Sequence, residues 1–197
     1  MNLPNKLSCL RIILVPVMAI VFYINFAYAP LIAVGVFIVA AFTDFLDGHI
    51  ARKYNMVTDL GKLLDPIADK LLILFSLFLV VEANLIPVGF GAFCGGIIMG
   101  RELLISAVRQ IAASKGKVIQ ANIYGKIKTF VQDIALPATM LLKMKDVIVN
   151  AFSQQFFDVY QIFCWSILGL ATLLTIISGV VYLVQNKSVF AEDKENK

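Results

Sequence analysis

Long apolar stretches alternate with short polar ones along the whole chain. Six apolar segments can be distinguished, each near the ~20 residues that a bilayer-spanning helix needs. They cover Leu10–Tyr28, Leu31–Ile50, Leu63–Val81, Leu85–Ala112, Ile127–Leu142 and Val159–Val184. Acidic residues interrupt one end of the second and third segments, and Arg101 and Glu102 interrupt the fourth. The pattern predicts an all-α integral membrane protein with six transmembrane helices.

The composition agrees with a lipid-facing surface. Of the 197 residues, 60% are apolar and 15% are charged, and the mean hydropathy is +0.87. Soluble proteins carry about 45–50% apolar and about 25% charged residues. The length predicts a single membrane domain over residues 1–197, and we expect the charged tail over residues 190–197 to be disordered.

The first apolar segment has a second interpretation. Lys6 and Arg11 precede a run that ends at Ala27-Tyr28-Ala29, which resembles a signal-peptide cleavage site. The run from Ile12 to Ala29 is longer than a usual signal core, and Pro30 follows directly. We therefore expect this segment to be retained as a membrane helix.

The distribution of basic residues predicts the orientation. With both termini and the loops after the second and fourth segments on one side, that side holds fifteen of the 17 Lys and Arg residues, and the other holds only Lys143 and Lys145. Basic residues collect on the cytoplasmic side, so both termini are predicted to be cytoplasmic in a multi-pass protein of the cell membrane. The same bias explains the net charge of +4 without a nucleic-acid partner.

Four aspartates lie at matched depths in the second and third segments. Asp44 follows Pro30 by 14 residues and Asp69 precedes Asn84 by 15, which at about 1.5 Å per residue puts both about 21–22 Å from the opposite end of their segments. Asp47 and Asp65 fall slightly closer to the cytoplasm. Against a hydrocarbon core about 30 Å thick, all four are predicted just inside the cytoplasmic boundary.

The spacing of these acids predicts a metal site. Asp44 and Asp47 are three residues apart and Asp65 and Asp69 are four apart, so each pair shares a helix face. Four converging carboxylates cannot all stay ionised without cations. Mg²⁺ or Mn²⁺, as two ions, would suit such oxygen ligands and the chemistry of displacement at phosphorus. The alternative is that the acids pair with nearby lysines and stabilise helix ends; those lysines are Lys53, Lys62 and Lys70.

The residues around the acids resemble a known motif. Eight positions match at the family spacing, and they are Asp44, Asp47, Gly48, Ala51, Arg52, Gly61, Asp65 and Asp69. This is similar to the signature of the CDP-alcohol phosphatidyltransferase family. The resemblance implies six transmembrane helices, a homodimer, and transfer of a phosphatidyl group from CDP-diacylglycerol to an alcohol with release of CMP.

The resemblance also implies roles for individual residues. Asp44, Asp47 and Asp65 correspond to metal ligands, and Asp69 to a ligand that is also the general base. Three further residues correspond to positions that contact the cytidine diphosphate group of CDP-diacylglycerol; they are Gly48, Arg52 and Thr58. A carboxylate can take the proton of an acceptor hydroxyl, and an arginine fork suits a pyrophosphate, so the chemistry agrees with these roles.

The acceptor is predicted from the region after residue 100. Gly100-Arg101-Glu102-Leu103-Leu104-Ile105-Ser106 with Arg109, and Gly125-Lys126 with Lys128-Thr129, resemble the phosphatidylglycerophosphate synthase branch, which uses glycerol 3-phosphate. A phosphate on the acceptor needs cations, and Arg109, Lys126 and Lys128 are predicted to bind it. Glu102 and Arg109 are seven residues apart on one helix face and are expected to pair.

Other functions remain open at this point. The cations after residue 100, including Arg101, could simply follow the positive-inside bias. Within the family, the acceptor could instead be inositol phosphate, serine or phosphatidylglycerol. In another class, the acids could line the pathway of a cation-coupled transporter. The outer halves of the second and third segments offer only Ser76 as a polar residue, which disfavours a pathway.

Overall fold

The computed structural model describes residues 3–53, 59–114 and 123–187. Within these ranges it describes side chains except at residues 3–4, 44–53, 59–66, 69 and 114. Thr58 and residues 190–197 therefore lie outside the described residues. The described chain is helical, with helices α1 to α7 and one 3₁₀ turn between α5 and α6 at Leu141–Met144. The helices are α1 Leu3–Tyr23, α2 Ala29–Lys53, α3 Asp59–Glu82, α4 Val88–Ser114, α5 Ile123–Met140, α6 Lys145–Ala151 and α7 Gln154–Gln185.

The six long helices correspond to the six predicted segments, and the differences lie at their ends. The first predicted segment runs to Tyr28, but α1 ends at Tyr23 and residues 24–28 form a turn. Hydrogen bonds from Ile24 N to Val21 O (3.1 Å) and from Ala29 N to Phe26 O (3.0 Å) reverse the chain there. The short helix α6 was not predicted, because its seven residues are too few to show a periodic pattern.

Helix α3 ends where the sequence predicts it to end. Asn84 has a positive φ of 53°, a conformation that asparagine tolerates better than most residues. The amides of Asn84 and Leu85 donate to Val81 O (3.1 Å) and Val80 O (3.2 Å). This is the Schellman arrangement that closes a helix C-terminus and satisfies its last carbonyls.

The core lies between the helices and is mostly apolar. Helix α1 packs on α2 and α3, α5 packs on α7 and α3, and α4 packs on α7 and α3. Fully buried side chains at the centre include Met18, Phe37, Ile98, Leu136 and Leu168. Contacts between consecutive and non-consecutive helices together therefore position the functional residues.

The outward faces carry many large apolar side chains. Ile20, Phe130 and Val159 are 67%, 66% and 68% exposed. A soluble monomer rarely exposes so much apolar surface, whereas a membrane protein places it against lipid. Among the described residues, three helical stretches are long and apolar enough to cross a membrane: Asn5–Tyr23, Val88–Ala113 and Gln154–Gln185. A shorter apolar helical stretch covers Ala29–Thr43.

Side-chain contacts join the helices at one end of the bundle. The Tyr23 hydroxyl of α1 donates to Glu82 at the end of α3, and Lys143 of the 3₁₀ turn donates to the carbonyl of Phe22. Trp165 Nε1 of α7 donates to Leu85 O at 3.0 Å. We call this the far end, and the opposite end, where α2 finishes and α3 begins, the acid end.

Candidate active site

The four predicted acids lie on two helices that contact each other. Asp44 and Asp47 belong to α2, and Asp65 and Asp69 belong to α3. Their side chains lie outside the part of the structure that is described. Their positions are therefore related to the core through the register of the buried residues along each helix.

In α2 the acids continue the register of the buried face. Ala33, Phe37 and Ala40 are all buried, at successive spacings of four and three residues. The next two steps of four and three residues reach Asp44 and Asp47. With 3.6 residues per turn, these positions share one stripe along the helix.

The same relation holds in α3. Leu72, Ser76 and Val80 are buried at spacings of four residues, and steps back of three and four residues reach Asp69 and Asp65. Both pairs are thus in register with the buried residues of α2 and α3. Gly48 and Arg52 also lie in α2, beyond Asp47, and their side chains are outside the described part.

A charged cluster joins α4 and α5 near the acid end. Lys128 of α5 is only 3% exposed and forms an ion pair with Glu102 of α4. Arg101 Nη1 lies 3.1 Å from the same Glu102 Oε1. Arg101 and Lys128 therefore share one carboxylate, and Asp133 also interacts electrostatically with Lys128.

Helix α7 also contacts this cluster, through Arg101. Arg101 Nη2 donates to Ser178 Oγ at 3.3 Å. Gly179 follows, where an added Cβ would lie 3.1 Å from Arg101 Cγ. The glycine therefore allows the arginine stem to lie directly against α7.

A further contact links the cluster to the helix that carries Asp65 and Asp69. Lys70 of α3 donates to Ser106 of α4, and Ser106 Oγ donates to Glu102 O at 2.6 Å. Lys70 follows Asp69 directly in the chain. The acidic end of α3 and the charged cluster are therefore neighbours in the bundle.

The predicted pair of Glu102 and Arg109 is wrong. Glu102 pairs with Lys128 and Arg101, whereas Arg109 Nε donates to Tyr182 Oη of α7 at 3.3 Å. Seven residues separate Glu102 and Arg109 by about 10.5 Å along the helix axis, and partners on α5 and α7 lie closer. Of the three predicted phosphate-binding residues, Lys128 is buried, whereas Arg109 and Lys126 are exposed.

Ser178 and Tyr182 were not predicted from the sequence. They are four residues apart, so they share one face of α7, and both are buried. A signal was present, because polar side chains in an apolar membrane helix usually face the bundle interior or a functional site. The sequence does not tell which partners they meet.

The donor set of the four aspartates fits a hard divalent cation. Carboxylate oxygens are the ligands that Mg²⁺ and Mn²⁺ prefer. Among the described side chains, no group of three or more His, Cys, Asp or Glu residues is placed to hold a metal ion. The three cysteines, all described, are free thiols.

Comparison with known proteins identifies the family. The model of the CDP-alcohol phosphatidyltransferase family matches residues 1–177. A Bacillus subtilis protein named CDP-diacylglycerol–glycerol-3-phosphate 3-phosphatidyltransferase is 35% identical over 94% of this chain and 95% of its own length. Proteins of the same name from Rickettsia typhi and Salmonella typhimurium are 37% and 36% identical, over 96% and 85% of this chain and 99% and 91% of their own lengths. The chain therefore belongs to the CDP-alcohol phosphatidyltransferase family of enzymes.

Proposed function

We propose that this enzyme transfers the phosphatidyl group of CDP-diacylglycerol to glycerol 3-phosphate, giving phosphatidylglycerophosphate and CMP. The observation that carries the proposal is the register of the acids. Asp44 and Asp47 on α2, and Asp65 and Asp69 on α3, continue the buried stripes of two contacting helices. The names of relatives that match over nearly their whole length support glycerol 3-phosphate as the acceptor.

In the proposed arrangement, the whole chain is one membrane domain over residues 1–197. The six long helices cross the bilayer with both termini in the cytoplasm, and α6 lies at the opposite surface. The excess of basic residues at the acid end supports this orientation. The active site then faces the cytoplasm of the cell membrane, where a soluble phosphorylated alcohol can meet a lipid headgroup. A homodimer belongs to the same proposal and rests on the family resemblance.

Two Mg²⁺ or Mn²⁺ ions would be held by Asp44, Asp47, Asp65 and Asp69. Bound there, they would polarise the phosphate oxygens and offset the charge on departing CMP. Asp69 also accepts the proton of the acceptor hydroxyl, which makes that oxygen a competent nucleophile. The new bond forms between this oxygen and the phosphorus of the phosphatidyl group, and the bond from that phosphorus to the CMP oxygen breaks.

The substrates are held by residues of two groups. Gly48, Arg52 and Thr58 bind the cytidine diphosphate group, with the arginine fork donating to its phosphate oxygens. Arg109, Lys126 and Lys128 attract the acceptor phosphate. Lys128 does so from within its ion pair with Glu102, to which Arg101 also contributes a cation.

The test is CMP release by the purified protein in detergent with Mg²⁺ and CDP-diacylglycerol. Glycerol 3-phosphate, inositol phosphate, inositol, serine and phosphatidylglycerol are offered in turn. We expect release with glycerol 3-phosphate and none after chelation of the metal. Release with another alcohol alone would retain the four-aspartate mechanism and reject the acceptor. No release with any of them, from folded protein, would reject the proposed reaction.

A further inference from the structure

Tyr182 makes two contacts with Arg109. Its hydroxyl accepts a hydrogen bond from Arg109 Nε at 3.3 Å, and the guanidinium carbon lies 5.6 Å from the centre of its ring. Tyr182 itself is only 2% exposed and packs in an apolar cluster with Ile105 and Val108 of α4. A rigid, buried side chain therefore holds one edge of an exposed arginine.

The opposite edge of the guanidinium carries the groups suited to a phosphate. An arginine has five N–H donors in a planar fork, and its terminal nitrogens can donate two parallel hydrogen bonds to phosphate oxygens. Among the described residues, Nε is the only guanidinium nitrogen of Arg109 with a hydrogen-bond partner. The contact with Tyr182 thus leaves the terminal nitrogens without a partner among the described side chains.

Arg109 also lies on the same side of a helix–helix contact as the acids. The hydrogen bond between the Lys70 and Ser106 side chains joins α3 and α4. Arg109 follows Ser106 by three residues in α4, which runs towards the acid end. Asp69 and Asp65 precede Lys70 in α3, which begins at the acid end, so Arg109 and both acids lie on the acid-end side of this contact.

We propose that Tyr182 is a positioning residue that orients Arg109, so that its terminal nitrogens meet the phosphate of the acceptor beside the acids. This inference rests on the proposed function, because it requires an acceptor with a phosphate. A free arginine on the surface samples many rotamers, and ordering it on binding weakens affinity. Tyr182 reduces that loss by holding the side chain beforehand, and it does not itself touch the substrate.

The test compares steady-state kinetics of four variants with glycerol 3-phosphate as the acceptor. Arg109→Ala removes the phosphate contact and raises the KM for glycerol 3-phosphate. Tyr182→Phe removes only the hydroxyl and raises that KM about three- to tenfold, as expected for one hydrogen bond to a charged group that acts indirectly. In Tyr182→Phe the KM for CDP-diacylglycerol stays within about twofold of the parent value, because one hydrogen bond lost at the acceptor subsite leaves the CDP-diacylglycerol subsite in place.

The double variant distinguishes positioning from general damage. If Tyr182 acts through Arg109, Tyr182→Phe has no further effect in the Arg109→Ala background, because the two residues form one unit. Tyr160→Phe is the matched control, since Tyr160 lies on the same helix and its hydroxyl donates to Ala138 O at 2.7 Å, near the far end. It should leave the KM for glycerol 3-phosphate unchanged.

Each contrary result has a distinct meaning. An unchanged KM in Tyr182→Phe, with a raised KM in Arg109→Ala, would overturn the positioning role and leave the proposed function intact. Additive effects in the double variant would also overturn it. An unchanged KM in Arg109→Ala would remove Arg109 from the phosphate site, and the role of Tyr182 would fall with it.

Discussion

Charged residues near the acid end differ in how far they are neutralised. Lys128 is buried against Glu102, and Arg101 shares that carboxylate, whereas the contacts of Arg109 are with Tyr182. A buried cation without a partner is costly, so the Lys128–Glu102 pair is needed for the fold whether or not it meets substrate. At the scale of single residues, Arg109 is therefore better suited than Arg101 or Lys128 to gain its anion from a substrate.

The pairing of Lys128 makes its own prediction. Glu102→Gln removes the carboxylate that forms the ion pair with buried Lys128. Loss of one partner from a buried pair costs about 3–5 kcal/mol, and we expect about 3 kcal/mol here because Glu102 keeps 24% of its side-chain surface exposed. The measurement is unfolding of the purified protein in detergent.

The control for this prediction is Glu102→Gln combined with Lys128→Met. The double variant should be more stable than Glu102→Gln alone, because no unpaired lysine remains. If the two substitutions instead lower stability additively, the ion pair is not what Glu102 contributes.

Asp69 is expected to be needed for turnover more than for binding. Asp69→Asn keeps the shape of the side chain but cannot accept the proton, so kcat should fall about 10²–10⁴-fold, the usual contribution of a general base. CMP binding, measured by calorimetry with Mg²⁺ present, should change little. Asp158→Asn, in the first turns of α7 at the far end, is the matched control and should be fully active. Normal turnover by Asp69→Asn would exclude the residue as the base.

At the scale of the helices, small residues determine where α4 can approach its neighbours. An added Cβ at Gly91 would lie 2.8 Å and 2.9 Å from the Ile86 side chain and 3.2 Å from that of Val81. At Gly96, five residues further, it would meet nothing within 4 Å. At Gly91 the helix therefore packs tightly against α3 and the connection that follows α3, whereas at Gly96 no described side chain packs against it.

These two glycines provide a matched test of packing. Gly91→Ala should destabilise the protein by about 1–3 kcal/mol, the usual cost of overpacking a filled site, while Gly96→Ala should be neutral or slightly stabilising. Thermal unfolding in detergent measures both. Equal effects of the two substitutions would contradict the packing of α4 described above.

At the scale of the whole molecule, the bundle has two chemically different ends. The far end has contacts of Tyr23, Glu82, Lys143 and Trp165, and the described side chains near the acid end include the cations Arg101, Arg109, Lys126 and Lys128. Family membership also favours an enzyme over a transporter. An enzyme of this kind needs polar access from one side of the membrane only, and the two ends differ accordingly.

The orientation can be tested by labelling single cysteines. In a variant with Cys9, Cys94 and Cys164 replaced, a cysteine is introduced at Lys145 or at Lys187, both of which are exposed. A membrane-impermeant maleimide added to intact cells should label position 145 and not position 187, because basic residues mark the cytoplasmic side. In disrupted cells both should react. The reverse pattern in intact cells would show that the termini lie outside.

Local sequence alone determined the six long helices, the end of α3 to within one residue and the spacing of the acids, because each depends on neighbouring residues and on helix periodicity. The family could also be inferred, since its motif lies within one short stretch. Tertiary structure alone decided the partners of the charged residues: Glu102 meets Lys128, which is 26 residues away, and Arg109 meets Tyr182, which is 73 residues away. Such contacts depend on how each helix rotates and slides against its neighbours, and the periodicity within one helix does not specify that.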